Sequence, residues 1–499
     1  MQVFAKVLIS TVFIPIFVTL QACSDGNNNS KPAEPEFLPI PQPTVEDPPD
    51  IGNLFLLTTV FELEEQGYRQ REFFLSGTAS AFTNVNELAS DGRWQVEPGE
   101  TADYQTRAVV YRPIAEEDFS GTIIVEWLNV TAGFENPPVW GAAHTEILRA
   151  GHAWVGVSAQ QEGIEGSESA LAPFNLKAVN PERYASLTHP GDSFSYDIFS
   201  QVLQAMREPD GMDMLEGLPP AQFIAVGQSQ SASRTLTYAN AIQPLYGAFD
   251  GYLLQSRGDG SAKLAEEPQV PIATPQSVTV RTDLRTPVLN FQSETDVLWL
   301  GAVNARQEDN DFFRLWEMAG TSHSDHYTNV IGRLDSGTDP RFAVVVEQDS
   351  VAGFLQCDLP MNAGPLPWGA NGALHALDTW VSSGEGPPMA DRLALTDDLA
   401  DYQRDDLGNV LGGIRTPYVD TPAAILTGTP QAGDGFCYLF GTTALFDAAQ
   451  MATLYVDRAG YVQAVSEATD NAVDKGFLLS PDAERIKAAA ELQWDMLVM

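Results

Sequence analysis

Between residues 70 and 325, short apolar runs alternate with segments long enough for helices. The run 122–128 (TIIVEWL) is almost wholly apolar, as in strands buried on both faces of a sheet. The other strand-like runs in this stretch are 153–158, 223–226, 252–255, 287–291 and 315–318. Helical patterns lie between them, for example at 139–149 and 196–206. The alternation predicts an α/β fold with a mostly parallel sheet flanked by helices, and catalytic groups on loops at the carboxyl ends of the strands.

The two ends of this core have different patterns. Runs 72–81 and 106–111 are predicted as early antiparallel strands. From about residue 340 the pattern is mainly helical, at 373–381 and 444–459, with two further amphipathic helices beyond 460. No linker-like composition separates this part from the core. We therefore expect one domain over 51–499, with a helical C-terminal cap or extension.

The first 22 residues have the pattern of an export signal. Lys6 is the only charge before the apolar run 7–20, which ends at the Leu20 of Leu20-Gln21-Ala22-Cys23. Cys23 in that place resembles the lipidated cysteine of bacterial lipoproteins; the alternative is a plain secretory signal in which Cys23 is incidental. We expect an exported protein with a lipid anchor at Cys23 in the cell envelope. Ser24 after the cysteine favours the outer membrane.

Residues 23–50 are rich in Asn, Pro, Glu and Asp, with seven prolines. Such a composition buries little apolar surface, and its prolines favour extended polyproline II. This stretch is therefore predicted as a disordered tether.

Two cysteines remain beyond Cys23, namely Cys357 and Cys437. In an oxidising compartment a pair of thiols is expected to form a disulfide, whereas the alternative is two buried free thiols. A bridge across so long a loop would stabilise the fold by about 4 kcal/mol.

The formal net charge of −40 argues against two classes of partner. A strongly acidic surface repels nucleic acid and anionic lipid headgroups. The expected partners are a small-molecule substrate and, through the anchor, a membrane. The oligomeric state is left open.

Three segments have the form G-x-S-x-S, a looser version of the G-x-S-x-G pattern that places a nucleophilic serine on a strand-to-helix turn. They are 191–195, 227–231 and 320–324. Only the middle one follows an apolar run, 223–226, and precedes a segment free of Gly and Pro, 232–242. Ser229 is therefore predicted as the nucleophile, against the alternative of a helix N-cap serine.

The other two serines lack part of this context. Ser193 follows Ser-Leu-Thr-His-Pro, which is not a strand. Ser322 does follow a strand-like run, but no helical pattern starts after it, and only His326 and His375 would lie downstream as bases.

The acid and then the histidine are expected after the serine along the chain. The histidines downstream of Ser229 are His323, His326 and His375. His323 lies in the loop after the run 315–318, where a base can reach a serine at the top of the sheet. The run 287–291 leads into Gln-Ser-Glu-Thr-Asp, which offers Glu294 and Asp296. Asp296 is predicted because the acid usually lies a short turn beyond the strand, and Glu294 is the alternative.

Two backbone N–H groups are needed to stabilise the oxyanion of an acyl-transfer intermediate. One is expected from Gln230, directly after the nucleophile. The other is expected from the loop after 122–128, at Asn129 or Val130.

The remaining acidic and histidine residues are assigned no catalytic role. Glu126 is expected to be a buried carboxylate paired with an arginine. The Ser-His-Ser-Asp-His segment, 322–326, could suggest a metal cluster, but no established ligand spacing such as HExxH supports one. We expect neither a metal nor another cofactor.

Several stretches together resemble a bacterial family of α/β-hydrolase domain proteins, many of which are lipoproteins. The stretches are VEWLNVTAG (125–133), HPGDSFSYDIFSQ (189–201), GQSQSASR (227–234), SETDV (293–297), RLWEMAGTSHSD (314–325), ALDTWVSSGEGPP (376–388), GGIRTPYVDTPAA (412–424) and GFLLSPDAERI (476–486). The resemblance implies an α/β-hydrolase fold after the tether. It also implies hydrolysis of carboxylic esters by Ser229, His323 and an acid at Asp296 or Glu294. In this family Ser231 replaces the second glycine of the pattern.

The leading hypothesis is therefore ester hydrolysis through an acyl-enzyme on Ser229. Amide or lactone hydrolysis by the same residues is the second hypothesis. The third is a non-catalytic surface-binding lipoprotein that keeps the fold.

Overall fold

The centre of the computed structural model is a nine-stranded sheet; the structure describes residues 37–167 and 173–498. Its strands are β1 (Thr44–Glu46), β2 (Tyr68–Asn84), β3 (Val96–Pro113), β4 (Thr122–Trp127), β5 (Ala153–Val157), β6 (Gln222–Gln228), β7 (Gly251–Gln255), β8 (Val288–Gln292) and β9 (Phe313–Glu317). Their order is β1-β2-β3-β5-β4-β6-β7-β8-β9. Strands β4 to β9 are mutually parallel, and β1, β2 and β3 add an antiparallel edge. The predicted α/β class is confirmed.

Helices cover both faces of the sheet. The α-helices of the described residues are α1 (Pro138–Arg149), α2 (Gln161–Glu165), α3 (Leu176–Val179), α4 (Ser195–Arg207), α5 (Gln230–Thr237), α6 (Gln243–Tyr246), α7 (Leu366–Ser383), α8 (Pro417–Asp420), α9 (Ala448–Tyr455), α10 (Arg458–Asp474) and α11 (Ser480–Val498). Successive residues of a strand point to opposite faces, so Ile123 and Val125 pack with α4 and α5 while Ile124 packs with α1 and α7. Every residue of β4 is therefore buried, which explains its apolar sequence.

The C-terminal part adds two small hairpins to its helices. They are formed by β10 (Ser350–Val351) with β11 (Leu355–Gln356), and by β12 (Ala424–Thr427) with β13 (Thr442–Leu445). A third apolar cluster contains side chains of the four helices α8, α9, α10 and α11 and of β12. The described residues from Phe37 onward belong to one compact unit.

The helix predicted over 444–459 is wrong at its start and in its middle. The first residues belong to β13, because they pair with β12. Asp447 then caps α9 through a capping box with Gln450, and Asp457 caps α10 by accepting from the N–H of Gly460. Between them Val456 has a positive φ of 69°, so two helices replace the single predicted one.

The predicted tether is too long at its C-terminal end. Residues 44–46 pair with β2 as an edge strand, and the N–H of Leu38 donates to the carbonyl of Leu245. Ile40 and Val45 pack against the main apolar cluster. The free edge of β2 offers unpaired backbone groups, which order a segment whose composition alone would not fold. Residues 1–36, with the predicted signal peptide and Cys23, lie outside the described residues.

Cys357 and Cys437 form the predicted disulfide. It joins the hairpin β10–β11 to the segment just before β13. Within the two described ranges, no helix is long and apolar enough to cross a membrane.

Candidate active site

Ser229 occupies a sharp turn between β6 and α5. Its φ of 59° and ψ of −120° lie in a region that non-glycine residues rarely adopt. A Cβ on Gly227 would come within 2.7 Å of the backbone of Ser231, so helix and strand approach closely only with glycine there. The buried hydroxyl of Ser231 donates to the carbonyl of Gln228 at 2.8 Å and closes the turn. This turn places the partly exposed Ser229 side chain at the carboxyl end of the sheet.

His323 is hydrogen-bonded on both ring nitrogens. Its Nε2 lies 2.9 Å from Ser229 Oγ, and its Nδ1 lies 2.6 Å from Asp296 Oδ1. An ionised carboxylate only accepts, so Nδ1 carries the proton and Nε2 is left to accept from the serine hydroxyl. The second oxygen of Asp296 accepts from the N–H of Ser293 at 2.7 Å, which holds the carboxylate in place.

Glu294 has a different position from Asp296 although the two residues share a turn. It is fully buried, and its oxygens accept from the N–H groups of Gly320 at 2.6 Å and Gly428 at 2.8 Å. Burial raises the pKa of Glu294 to about 7, while the two backbone donors oppose that shift. Glu294 therefore joins the loop after β9 that contains His323, called the histidine loop below, to the segment after β12. Asp296, and not Glu294, contacts the imidazole of His323.

The serines of the other two G-x-S-x-S segments donate to backbone carbonyls. Ser193 Oγ donates to the carbonyl of Glu266 at 2.7 Å, and Ser322 Oγ donates to the carbonyl of Ser324 at 2.5 Å. Neither is brought to an imidazole.

The two remaining downstream histidines lie elsewhere. His326 is buried next to the segment that contains Asn362, whose carbonyl accepts its backbone N–H, and burial lowers its pKa to about 4. His375 lies on α7, where its Nδ1 is 2.9 Å from Glu146 Oε1, a contact that raises the histidine pKa. In the described parts of the chain, no three His, Cys, Asp or Glu residues are grouped to hold a metal ion.

The backbone hydrogen bonds of the loop after β4 distinguish between Asn129 and Val130, the two candidates for the second oxyanion donor. Asn129 and Asn136 exchange backbone hydrogen bonds at 2.9 and 2.8 Å, so the N–H of Asn129 is already used and this alternative is wrong. The Asn129 side chain donates to the carbonyl of Gln228 at 3.0 Å and holds the loop against the turn that carries Ser229. Among the described residues no acceptor is found for the N–H of Val130, so Val130 stays the prediction for the second oxyanion donor. Gln230 is the first residue of α5, where N–H groups have no intrahelical acceptor.

Glu126 is buried as expected, but the arginine partner predicted for it is wrong. Its carboxylate accepts from the backbone N–H groups of Val139 and Trp140, at 2.8 and 2.9 Å, and from the indole of Trp154 at 2.9 Å. These backbone groups are free because they begin α1. Burial raises the Glu126 pKa to about 7.

One buried ion-pair network near the site was not predicted. The fully buried Arg107 on β3 contacts Glu135 of the loop after β4 at 2.5 Å and Glu72 of β2 at 2.7 Å. Arg183 pairs with the other oxygen of Glu72 at 2.6 Å. The partners are far apart in the chain, so no local pattern could have indicated the network.

Comparisons with known proteins place the chain among hydrolases. A family model described as alpha/beta hydrolase domain matches residues 39–488. No curated protein matches the chain. A glucuronoyl esterase from Solibacter usitatus is 11% identical over 57% of this chain and 82% of its own, with a TM-score of 0.28. A putative dienelactone hydrolase from Klebsiella pneumoniae is 13% identical over 49% and 85%, with a TM-score of 0.23.

Proposed function

The chain belongs to the alpha/beta hydrolase domain family, and we propose that it hydrolyses carboxylic esters through an acyl-enzyme on Ser229. The observation that carries the proposal is the unbroken hydrogen-bond chain from Asp296 through His323 to Ser229, with contacts of 2.6 and 2.9 Å. A serine is a weak nucleophile until a neighbouring base can take its proton. Here the base has its tautomer set by a carboxylate and its free nitrogen directed at the hydroxyl.

Acylation begins when Ser229 Oγ attacks the ester carbonyl carbon. The hydroxyl proton passes to His323 Nε2, and the carbonyl oxygen becomes an oxyanion held by the N–H groups of Gln230 and Val130. When the tetrahedral intermediate collapses, the ester C–O bond breaks and the imidazolium gives its proton to the leaving alcohol. Asp296 stays ionised and stabilises the imidazolium.

Deacylation repeats these steps with water as the nucleophile. His323 Nε2 takes a proton from water as its oxygen attacks the acyl carbon. The second tetrahedral intermediate releases the acid, and the proton returns to Ser229 Oγ. One turn of the cycle consumes the ester and one water, releases the alcohol and the acid, and returns Ser229 and His323 to their starting forms.

Labelling by a fluorophosphonate probe tests the nucleophile. Wild-type protein should label and hydrolyse simple esters, and Ser229→Ala should do neither while keeping its melting temperature. Ser193→Ala and Ser322→Ala are matched controls, because each removes the serine of a similar segment, and both should still label. Labelling of Ser229→Ala at the wild-type rate would refute the assignment. A panel of esters, amides and lactones then identifies the bond cleaved.

We also propose that Cys23 carries a lipid anchor and that the protein is exported to the outer membrane. The proposal is supported by the apolar run 7–20, which ends at the Leu20 of Leu20-Gln21-Ala22-Cys23. Full-length protein should partition into detergent and incorporate a labelled fatty acid, whereas Cys23→Ser should do neither. Labelling that persists in Cys23→Ser would contradict the proposal.

A further inference from the structure

Four phenylalanines from separate parts of the chain form an aromatic cluster. They are Phe55, Phe134, Phe174 and Phe354. Ring centroids are 5.7 Å apart for Phe134–Phe174, 6.0 Å for Phe174–Phe354 and 6.2 Å for Phe134–Phe354. Phe134 is 7% exposed, whereas Phe354 is 49% exposed. Phe134 is therefore the buried ring of the cluster and Phe354 its most exposed one, while Phe55 and Phe174 are partly buried.

Phe134 connects this aromatic cluster to the loop between β4 and α1, residues 128–137, which contains Val130 and is called the oxyanion loop below. It lies between Val130 and Asn136, in the loop that the Asn129–Asn136 backbone hydrogen bonds close. The next residue, Glu135, is held by the fully buried Arg107. The ring is thus carried by a loop that is anchored on both sides, four residues after the proposed oxyanion donor.

Phe354 connects the same cluster to the histidine loop. It lies in the turn between β10 and β11, and the hairpin is followed at once by Cys357, which is bonded to Cys437. Two residues beyond Cys437, the carbonyl of Leu439 accepts from the N–H of Ser324 at 3.0 Å, next to His323. The base of the hairpin is therefore tied to the histidine side of the site, and its turn contacts Phe134 on the oxyanion side.

From this arrangement we propose that Phe134, Phe174 and Phe354 form a binding subsite for an aromatic ring of the ester substrate. The proposal rests on the proposed ester hydrolysis at Ser229. Aromatic rings favour offset or edge-to-face contacts with one another, and the half-exposed ring of Phe354 provides such a surface. A rigid ring also loses less conformational freedom on binding than a flexible chain of similar area. The cluster has no charged member, which suits an uncharged aryl group.

Substrate selectivity of the full chain tests the subsite. The specificity constant, kcat/KM, is measured for ethyl acetate, for ethyl phenylacetate with the ring on the acyl side, and for benzyl acetate with the ring on the alcohol side. Phe354→Ala should lower kcat/KM about tenfold for one of the two aromatic esters and less than twofold for ethyl acetate. The ester affected identifies which half of the substrate meets the ring.

Phe37→Ala is the matched control. Phe37 is 46% exposed, close to the value for Phe354, and its ring lies against Gly247 after α6. This variant should leave all three values unchanged. Equal losses for all esters in Phe354→Ala, or no loss for either aromatic ester, would overturn the subsite.

Binding without turnover separates this proposal from the proposed reaction. Saturation-transfer NMR detects phenylacetate and benzyl alcohol, the products of the aromatic esters, on Ser229→Ala protein. The signal of one of them should be weaker when Phe354→Ala is added and unchanged when Phe37→Ala is added. Equal signals in both double variants would refute the subsite, whatever bond Ser229 cleaves. Absence of ester hydrolysis in the wild type would instead refute the proposed function.

Discussion

Replacing Asp296 by asparagine should lower turnover by about 10⁴-fold by reversing the tautomer of His323. The oxygen of Asp296 that faces Ser293 accepts a backbone N–H, so the asparagine oxygen must take that place. The amide NH2 then faces His323 Nδ1, where the carboxylate now lies at 2.6 Å. A donor there requires Nδ1 to accept, which moves the ring proton to Nε2. Nε2 then faces Ser229 Oγ with a proton and has no lone pair to accept the hydroxyl proton.

Loss of the tautomer-holding acid lowers kcat by about 10⁴-fold in a serine protease. That factor corresponds to about 5 kcal/mol of transition-state stabilisation. We expect a fall of this size for Asp296→Asn, with little change in the melting temperature because shape and one hydrogen bond are kept. The assay is the initial rate of 4-nitrophenyl acetate hydrolysis together with thermal unfolding.

Glu294→Gln is the comparison that isolates this effect. It makes the same chemical change two residues away, at a carboxylate that contacts Gly320 and Gly428. One of those N–H groups would lose its acceptor, so Glu294→Gln should cost about 1–3 kcal/mol of stability and reduce kcat far less. The reasoning is refuted if Asp296→Asn keeps more than about 1% of kcat, or if Glu294→Gln is the more damaging of the two.

Three further predictions concern stability and loop position. Replacing Cys357 and Cys437 by serine should lower the free energy of unfolding by about 4 kcal/mol, measured by urea titration of protein purified without reductant. Because the folded-state pKa of Glu126 is raised to about 7, the wild type should lose stability as pH rises from about 4.5 to 7 relative to Glu126→Gln, as urea titrations at several pH values would show. Glu135→Gln should lower kcat about tenfold with KM unchanged, because the oxyanion loop loses its ion pair; a change in KM alone would contradict this.

The central sheet could be predicted because its signals are local. A strand buried on both faces needs a short apolar run, and TIIVEWL and its successors along the chain have that character. The elbow at Ser229 could also be predicted, since strand, turn and helix follow one another without a gap. The histidine of the site was predictable from its place just beyond β9.

The parts that sequence reasoning missed depend on partners distant in the chain. The segment around β1 is ordered by the edge of β2, and its own composition predicts disorder. The helix predicted over 444–459 begins only at Ala448, because its first residues pair with β12 in a hairpin. In both cases pairing with another segment prevails over local propensity.

The sequence by itself predicted the fold class, a candidate nucleophile and a short set of alternatives for the acid and the second oxyanion donor. Tertiary structure alone decided among those alternatives. Asp296 meets His323 because Glu294 is held by the N–H groups of Gly320 and Gly428, far along the chain. Asn129 is excluded because its N–H is taken across the loop. A residue's type limits which hydrogen bonds it can make, but only the packed fold determines which donor or acceptor is within reach.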